Sequence, residues 1–429
     1  MSELEPRSDL RPRSELRVSS GGSKTKGIAR HGRLRKSRAV GTIFSIVGAT
    51  LAVILVSGAS VGAIAFNSLY SKKTTVAIYG ETEGPPPQIG AIKGGFNILI
   101  VGSDTRAGQG GVGGTTDDDQ SVLNDVNIVL HVSQDQTNAV AISIPRDMVV
   151  GIPECVGSDG YVKGYSTESI NVALYYGGLS CAVQTVQDFT GLPIQFAGLI
   201  TFEGVINLSN VIGGVNVCIT APMVDPYTGI DLPAAGTYNL QGGQALAFLR
   251  SRHGVGDGSD LTRISSQQVF LSSLVRTLKS SDTLGDYKKL YSLANTAISS
   301  MTLSNSLGDI PTMVSIALAL KNIPLERVTF VQYPGHAGQT EAPYTGKVRP
   351  DTEAGDQLMA LVAADQPFVL DGAGDDQGST ADPNAPAPTA DPTAAPVDNS
   401  GLPVLSGVRG QTAAQYTCSI TQTATGNED

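Results

Sequence analysis

Residues 96–102, FNILIVG, form an uncharged apolar run that ends in glycine and predicts a buried β-strand. Two more apolar runs, VNIVLHV at 126–132 and AVAISI at 139–144, predict the next two strands. The polar segment 133–138 between these two runs is short. A short polar connection favours an antiparallel pair, so these strands are expected to be adjacent.

Helical and strand-like patterns alternate through the middle of the chain. Helices are predicted at 169–176, 182–190, 202–211, 241–249, 261–278, 287–300 and 307–320, and strands at 195–201, 215–219 and 327–332. Alternating strands and helices pack in layers, because each face of a sheet needs helices to cover it. The pattern therefore predicts an α/β fold, an α/β/α sandwich with a mixed central sheet, over about residues 96–370.

Three arginines and one aspartate crowd the stretch AFLRSRHGVGDGSDLTRISSQQ at 247–268. Arg250 and Arg252 are two apart, so an extended backbone would direct both side chains to one face. Asp260 precedes a helical pattern and is a predicted N-cap, with Arg263 on the helix that follows. Guanidinium groups that converge near a helix N-terminus suit a phosphate or pyrophosphate. Surface salt bridges are the alternative explanation for any one of these arginines.

Charged residues also stand at the ends of the first three strands. Asp104 and Arg106 follow the first strand, Asp125 precedes the second, and Arg146 and Asp147 follow the third. The carboxyl end of a buried strand is a usual ligand position in an open α/β sheet. If the first two strands are neighbours, their aspartates can share one divalent cation, Mg²⁺ or Mn²⁺. Strand-end caps and a surface ion pair are the alternatives.

Several function classes are excluded. The glycines of 108–113 match the dinucleotide fingerprint, but they open no helix and run into three aspartates at 117–119. Walker A and H-E-x-x-H motifs are absent from the sequence. Residues 1–38 carry a formal charge of +7 and the rest of the chain −17. This acidic body argues against a nucleic-acid partner.

Residues 39–66 contain no charged side chain over 28 positions. This length exceeds the roughly 20 residues that cross a bilayer and predicts a retained transmembrane helix. A signal-peptidase site near 58–65 is the alternative. The basic, disordered segment 1–38 is expected in the cytoplasm, so the protein is predicted to be a single-pass membrane protein with an extracellular catalytic domain. The remaining segments are an extracellular tether at 71–95, a disordered Pro/Ala/Asp-rich linker at 371–400 and a short C-terminal tail at 401–429.

The chain has four cysteines, which suit an extracellular compartment. None forms a C-x-x-C pair, so a zinc site is not expected. Cys155 and Cys181 bracket a short loop-plus-helix segment and are the first predicted disulfide. A pairing of Cys218 with Cys418 follows only by elimination, and buried free thiols are the alternative.

Five motifs occur in order: NILIVGSDTR, SIPRD, I-N-x-A-x-x-Y-G-G, QALAFLRSRH and D-x-x-R-x-x-x-Q-Q. Together, over about residues 96–280, they resemble the LytR–CpsA–Psr (LCP) family. The resemblance implies a phosphotransferase that moves a glycopolymer from an undecaprenyl-pyrophosphate carrier to peptidoglycan. The acceptor would be the C6 hydroxyl of muramic acid, and the product a phosphodiester. The low-Lys, Ala- and Gly-rich composition resembles that of a Gram-positive actinobacterium.

The resemblance also assigns roles to residues. Matching aspartates hold Mg²⁺, matching arginines bind the pyrophosphate, and the prenyl tail lies in an apolar tunnel. The metal ligands are then Asp104 and Asp125, the pyrophosphate ligands are Arg106, Arg146, Arg250, Arg252 and Arg263, and Gln267 is a further headgroup contact. Asp260 and Asp147 are the candidate general bases.

The chain departs from the family at two positions. Ser169 stands where a lysine often precedes the I-N pair, and Ser266 stands where a second arginine often follows Arg263. Two other functions stay open. One is a membrane protein that binds or senses polyprenyl phosphates without transferring them, and the other is a lipid pyrophosphatase that uses water as acceptor.

Overall fold

The structure is a computed structural model, and it describes residues 44, 47–50, 53, 56–57, 74–81, 92–104, 122–157, 160–280, 283–284, 286–386 and 398–422. The predicted cytoplasmic segment 1–38 and most of the predicted membrane span 39–66 lie outside these residues. None of the helices in the described part of the chain combines the length and apolar character needed to cross a bilayer. The unit at 65–429 holds the elements that follow.

Twelve of the described strands build two sheets. These strands are β1 (Thr74–Val76), β2 (Phe96–Ser103), β3 (Asn124–Val132), β4 (Ala139–Ile144), β5 (Phe196–Ile200), β6 (Val215–Ile219), β7 (Gly236–Leu240), β8 (Met301–Ser304), β9 (Val328–Gln332), β10 (Ser379–Ala381), β11 (Gly410–Thr412) and β12 (Thr417–Ser419). Shorter strands pair locally at Val149–Ile152 with Ser166–Ser169, Cys155–Val156 with Val162–Lys163, Met223–Asp225 with Ile230–Leu232, Gly335–His336 with Arg349–Pro350, and Val369–Leu370 with Val404–Leu405.

The helices connect and cover these sheets. They are α1 (Ala173–Thr190), α2 (Phe202–Ile212), α3 (Gly243–Arg250), α4 (Asp260–Ser280), α5 (Tyr287–Ser300), α6 (Ile310–Lys321) and α7 (Thr352–Ala363), with 3₁₀ turns at Ile170–Val172 and Leu325–Arg327. The helix predicted at 169–176 is wrong in part, because Ser169 ends a strand and the α-helix begins at Ala173. The α1 range is interrupted at Gly177 and Gly178, whose φ/ψ values are not helical, so the prediction of two helical segments on either side of this break is confirmed.

The central sheet has the order β1-β8-β5-β2-β3-β4-β9-β11 in the described residues. It is mixed as predicted: β2 and β5 are parallel, whereas β3 runs antiparallel to both β2 and β4. Leu99 and Val101 of β2 pack with α1 and α7 on one face, and Ile98 packs with α5 and α6 on the other. Alternate residues of a strand point to opposite faces, so both faces are buried and the α/β/α sandwich is confirmed.

The C-terminal residues belong to the fold rather than to a separate tail. Strand β11 pairs antiparallel with β9 at the edge of the central sheet. Strand β12 pairs with β6 and β10, which completes the second sheet in the order β7-β6-β12-β10. The predicted boundary at residue 370 is therefore wrong. The tether 71–95 and the linker 371–400 are also too wide, since β1 and β10 lie inside them, and residues 387–397 of the linker lie outside the described part.

Both predicted disulfides are present. Cys155 is bonded to Cys181, and Cys218 is bonded to Cys418. The second bond joins β6 to β12 at directly paired positions. A Cβ on Gly177 would lie 2.8 Å from the Cβ of Cys181 and 3.0 Å from that of Cys155, so only glycine fits beside the first disulfide.

Candidate active site

The two predicted metal ligands lie at the paired ends of β2 and β3. Asp104 directly follows β2, and its Oδ1 accepts a hydrogen bond from a backbone N–H ahead of β3 (3.3 Å). Asp125 was predicted to precede its strand, but it is the second residue of β3. The pairing register shifts here between Gly102 and Ser103, which makes Asp125 the extra residue of a β-bulge. Its Oδ1 accepts a hydrogen bond from Nη1 of Arg146.

Arg146 follows β4, as predicted from the proline that ends the strand. Its Nε lies 3.5 Å from Oδ2 of Asp147 and 3.8 Å from Oδ1 of Asp260. Burial lowers the pKa of Arg146, but the charge and hydrogen bond of Asp125 outweigh burial and raise that pKa above its usual value. The buried Nε–H of Arg146 nevertheless donates no hydrogen bond within the described residues.

Arg250 and Arg252 reach the site by a different route from the predicted one. Arg250 is the last residue of α3, so the prediction that both arginines lie on one extended strand is wrong. Ser251 alone is extended, at the C-cap of this helix. The two guanidinium groups still line the same small cavity, together with Arg146 and Arg263.

Asp260 binds arginines instead of capping α4. Ser259 Oγ accepts the N–H of Thr262 (3.3 Å), so Ser259 is the cap and the predicted cap at Asp260 is wrong. Oδ1 of Asp260 lies 2.5 Å from Nη2 of Arg263 and 3.3 Å from Nη2 of Arg252. The Asp260 carboxylate therefore acts as a positioning group for the guanidinium groups around it.

Four guanidinium groups lie close together at this point of the fold. The arginine cluster consists of Arg146, Arg250, Arg252 and Arg263. Asp125 and Asp260 face it, while Asp147 is also bound by Nζ of Lys347 (2.8 Å). Burial, followed by the positive charges of Arg263 and Arg146, lowers the pKa of Arg252. An anion would relieve this repulsion, and the buried Nε–H of Arg263 also lacks a hydrogen-bond partner in the described residues.

An apolar cavity of about 250 Å³ adjoins the arginine cluster. It lies between the sheet and helices α2, α3 and α4, and Ile100, Val126, Leu208, Leu246 and Phe270 are among its lining residues. Arg250, Arg263 and Asp125 line both this cavity and the small polar one. The site can therefore take a molecule with an anionic head and a long apolar part.

The other predicted residues have mixed outcomes. Gln267 lies four residues after Arg263 on α4 and lines the apolar cavity, where its Nε2 donates to the carbonyl of Leu249 (2.8 Å). Arg250 stacks on Phe202, with 4.1 Å between the guanidinium carbon and the ring centroid. Arg106, like the glycine-rich segment 108–113, lies outside the described residues.

Sequence reasoning missed Asp225, which anchors the loop that carries Arg252. Asp225 is fully buried and accepts hydrogen bonds from Ser251 Oγ (2.7 Å) and from the backbone N–H groups of Arg252 (3.1 Å) and Tyr227 (3.0 Å). Burial raises the pKa of Asp225, but these hydrogen bonds outweigh burial and hold that pKa below its usual value. The turn VDPYTG at 224–229 was the available signal, since an Asp before a Pro-containing turn commonly binds backbone N–H groups.

We expect Asp225→Ala to lower the free energy of unfolding by about 3 kcal/mol, because three donors, of which the Ser251 hydroxyl is buried, lose their acceptor. Since the pKa of Asp225 is lowered on folding, its stabilising effect is present above the usual aspartate pKa of about 4 and is lost as pH falls through the lowered value. Urea unfolding of the wild type and the variant, at pH 7 and pH 3, measures both effects. A difference between the two proteins that stays the same at both pH values would contradict the assignment.

The C-terminal strands hold the helix that carries Arg263. Ser266 Oγ lies 2.9 Å from Ser419 Oγ, and Gln411 Nε2 donates to Ser272 Oγ (2.6 Å). Farther back, the backbone N–H of Gly256 donates to the carbonyl of Ile420 (2.9 Å). Ser266 stands where the family often has a second arginine, and the structure gives a reason for this difference: the small Ser266 hydroxyl contacts Ser419 of β12.

The sequence and fold of this chain are similar to those of known proteins. The model of the LytR_cpsA_psr family matches residues 65–355. The cell wall biosynthesis protein LcpA of Corynebacterium glutamicum is 30% identical over 268 residues, which are 57% of this chain and 51% of that protein. The polyisoprenyl-teichoic acid–peptidoglycan teichoic acid transferase TagT of Bacillus subtilis is 26% identical over 313 residues, which are 71% of this chain and 90% of that protein. The chain thus spans about half the length of LcpA.

The crystal structure of Bacillus subtilis TagV superposes with a TM-score of 0.50 and 22% sequence identity, covering 64% of this chain and 97% of that chain. This likeness shows a shared fold. The family match is stronger, because it covers more than half of the present sequence and includes every described residue of the arginine cluster. On this ground the chain belongs to the LytR_cpsA_psr family.

Proposed function

We propose that this protein is a membrane-anchored, extracellular phosphotransferase that moves a glycopolymer from an undecaprenyl-pyrophosphate carrier to peptidoglycan. One observation carries the proposal: an apolar cavity meets four arginines, two of which have buried Nε–H groups without hydrogen-bond partners in the described residues. A polyprenyl pyrophosphate has both parts that such a site needs. The names of the cell-wall protein LcpA and the teichoic acid transferase TagT support the same class of reaction.

The arginine cluster would bind and polarise the pyrophosphate. Planar guanidinium forks match phosphate oxygens, and they favour the charge that develops as the prenyl phosphate leaves. Asp260 keeps Arg252 and Arg263 in place through its Oδ1. The acceptor hydroxyl would form a new P–O bond while the bond from this phosphorus to the bridging oxygen breaks, so that a phosphodiester results.

Asp104 and Asp125 would hold Mg²⁺, or Mn²⁺ in its place. The donor set fits these ions, because two carboxylates at adjacent strand ends supply the oxygen ligands that they prefer. When bound, the ion supplies further charge neutralisation at the phosphoryl oxygens. The hydrogen bond from Arg146 to Asp125 ties this carboxylate to the arginine cluster.

The acceptor hydroxyl must lose its proton during transfer. Of the two candidate bases, Asp260 has a side chain that is only 9% exposed and is held by arginines. Asp147 has a side chain that is 22% exposed, and Lys347 and Arg146 contact it. We infer that Asp147 receives the proton, since its side chain is the more exposed of the two.

Mass spectrometry of the full-length protein tests the lipid site. The protein is purified from membranes in detergent with Mg²⁺ present, and co-purifying lipids are identified. We expect a polyprenyl phosphate or pyrophosphate that is lost in Arg250→Ala and kept in the control Arg327→Ala, since Arg327 lies outside both cavities. A wild-type protein that carries no such lipid and does not bind added polyprenyl pyrophosphate would overturn the proposal.

Asp104→Asn distinguishes transfer from simple lipid binding. We expect it to lower glycopolymer transfer by about 10²-fold, because a neutral amide is a weaker ligand for Mg²⁺ than a carboxylate. Bound lipid, measured by mass spectrometry, should change little. Unchanged transfer by the variant would exclude Asp104 from the reaction. Lipid binding without transfer by the wild type would favour the lipid-sensing alternative, and release of free polymer phosphate to water in place of transfer would favour the pyrophosphatase.

A further inference from the structure

A second cavity, polar and about 640 Å³ in volume, lies on the other side of the first turn of α4. It is bounded by the end of β9, the residues before α7 and the C-terminal segment. Asp257, Ser259, Gln332, Arg349, Gln377 and Arg409 are the lining residues that matter here. This polar cavity shares no lining residue with the apolar cavity or with the arginine cluster.

Gln332 gives the polar cavity a buried hydrogen-bond acceptor. Its side chain lines the cavity, the residue is only 5% exposed, and its Oε1 has no hydrogen-bond partner within the described residues. A buried amide oxygen without a donor is destabilising, so its presence in a cavity wall points to a ligand that supplies an O–H or N–H group.

Two guanidinium groups line the same cavity, together with the carboxylates of Asp257 and Asp351. Arg409 Nη1 donates to Gln377 Oε1 (2.8 Å), and Arg349 Nη1 donates to Glu341 Oε1 (3.3 Å). Each guanidinium carries five N–H donors, so further donors are present for an anionic group. A buried acceptor and these two cations together suit a hydroxyl-rich molecule that also carries a carboxylate.

The position of the polar cavity relates it to the transfer reaction. Asp257, Ser259 and Leu261 line it, while Asp260, between the last two, contacts Arg252 and Arg263. The first turn of α4 is therefore a wall common to the polar cavity and the arginine cluster. A glycan held in the polar cavity would lie across this turn from the arginine cluster.

We propose that the polar cavity is the acceptor subsite, which binds a glycan with free hydroxyl groups and a carboxylate substituent. This inference rests on the proposed transferase function. Peptidoglycan strands have this chemistry through their sugar hydroxyls and the carboxylates of their peptides. The cavity volume is within the usual range of about 300–1,000 Å³ for ligand sites.

Direct binding is the first test. A soluble N-acetylglucosamine–N-acetylmuramic acid disaccharide with its peptide is titrated by calorimetry into the full-length protein in detergent. Arg409→Gln and Arg349→Gln are suitable variants because both side chains are more than 40% exposed, so the fold should be kept. We expect each to weaken binding about tenfold through loss of a charge-assisted hydrogen bond, while Arg327→Gln binds like the wild type.

An uncharged sugar tests whether the carboxylate matters for binding, and the kinetics of transfer test whether the polar cavity binds the acceptor. Uncharged chitobiose should bind more weakly than the disaccharide peptide and should not respond to Arg409→Gln. In the transfer assay, Arg409→Gln should raise KM for the acceptor with kcat and lipid binding unchanged. Equal affinity in the wild type and both variants, or no binding to the wild type, would overturn the acceptor subsite. Binding that follows the prediction without any transfer by the wild type would instead overturn the proposed function and, with it, the acceptor role.

Discussion

Arg250→Ala and Arg263→Ala are each expected to abolish glycopolymer attachment to the cell wall, with a fall in transfer rate of about 10²–10³-fold. Both side chains line the apolar and the small polar cavity, so both would contact the pyrophosphate. Arg263 is 5% exposed, and its Nη2 also donates to the backbone carbonyl of Asp125 (3.0 Å). Its loss would remove a donor to the proposed phosphate site and a contact with the end of β3 that carries Asp125.

The measurement is attachment of radiolabelled polymer to peptidoglycan by the purified variants, with circular dichroism to show that each remains folded. Arg263→Lys keeps the positive charge but loses the planar guanidinium group that can bind a phosphate through two N–H groups. Its activity should therefore lie between that of Arg263→Ala and that of the wild type. Arg327→Ala is the control for loss of an arginine outside the site. Normal attachment by both alanine variants would rule out the arginine cluster as the pyrophosphate site.

The second large effect is on stability. Cys218→Ser with Cys418→Ser is expected to lower the free energy of unfolding by about 5 kcal/mol, because the disulfide closes a segment of 200 residues and removes much entropy from the unfolded chain. The same bond holds β12 beside β6, and β12 carries Ser419, which contacts Ser266 on the arginine-bearing helix. Transfer activity should therefore fall together with stability.

The other disulfide is a matched control. Cys155 and Cys181 enclose only 26 residues, so replacing them with serine should cost about 3.5 kcal/mol by the same relation. This bond lies beside the kink of α1 and touches neither the arginine cluster nor α4. Denaturant unfolding of both double variants gives the comparison. A larger loss from the shorter loop would contradict the entropic argument, and unchanged transfer by the Cys218/Cys418 variant would show that β12 does not support the site.

The central strands could be predicted because their residues carry a strong local signal. Residues 139–144 form a strand with the predicted bounds, and so do residues 215–219. In both cases, apolar runs end at proline or at turn-forming residues. The last two strands of the described chain lack this signal: Gly410–Thr412 and Thr417–Ser419 are three residues long and polar. They form only because β9 and β6 provide edges to pair with.

The candidate site was predictable where residue type decides the chemistry, and less so where tertiary contacts decide it. The arginines near a glycine-rich turn could be identified as a candidate anion site. The helical backbone conformation of Arg250 could not be predicted. Ser259 caps the helix, since the Asp260 carboxylate binds Arg252, Arg263 and the distant Arg146 instead. Asp225 could not be identified, because its partner Ser251 is 26 residues away and shows no pattern with it.

Because β12 lies near the end of the chain, the support that it gives to α4 can form only late in synthesis. Ser266 is made 153 residues before its partner Ser419, and the loop at Gly256 also depends on Ile420. A nascent chain can contain every arginine of the cluster and still lack the strand that supports them. A chain that terminates or is cut before residue 410 would therefore contain the family motifs in full and still lack the strands that support α4.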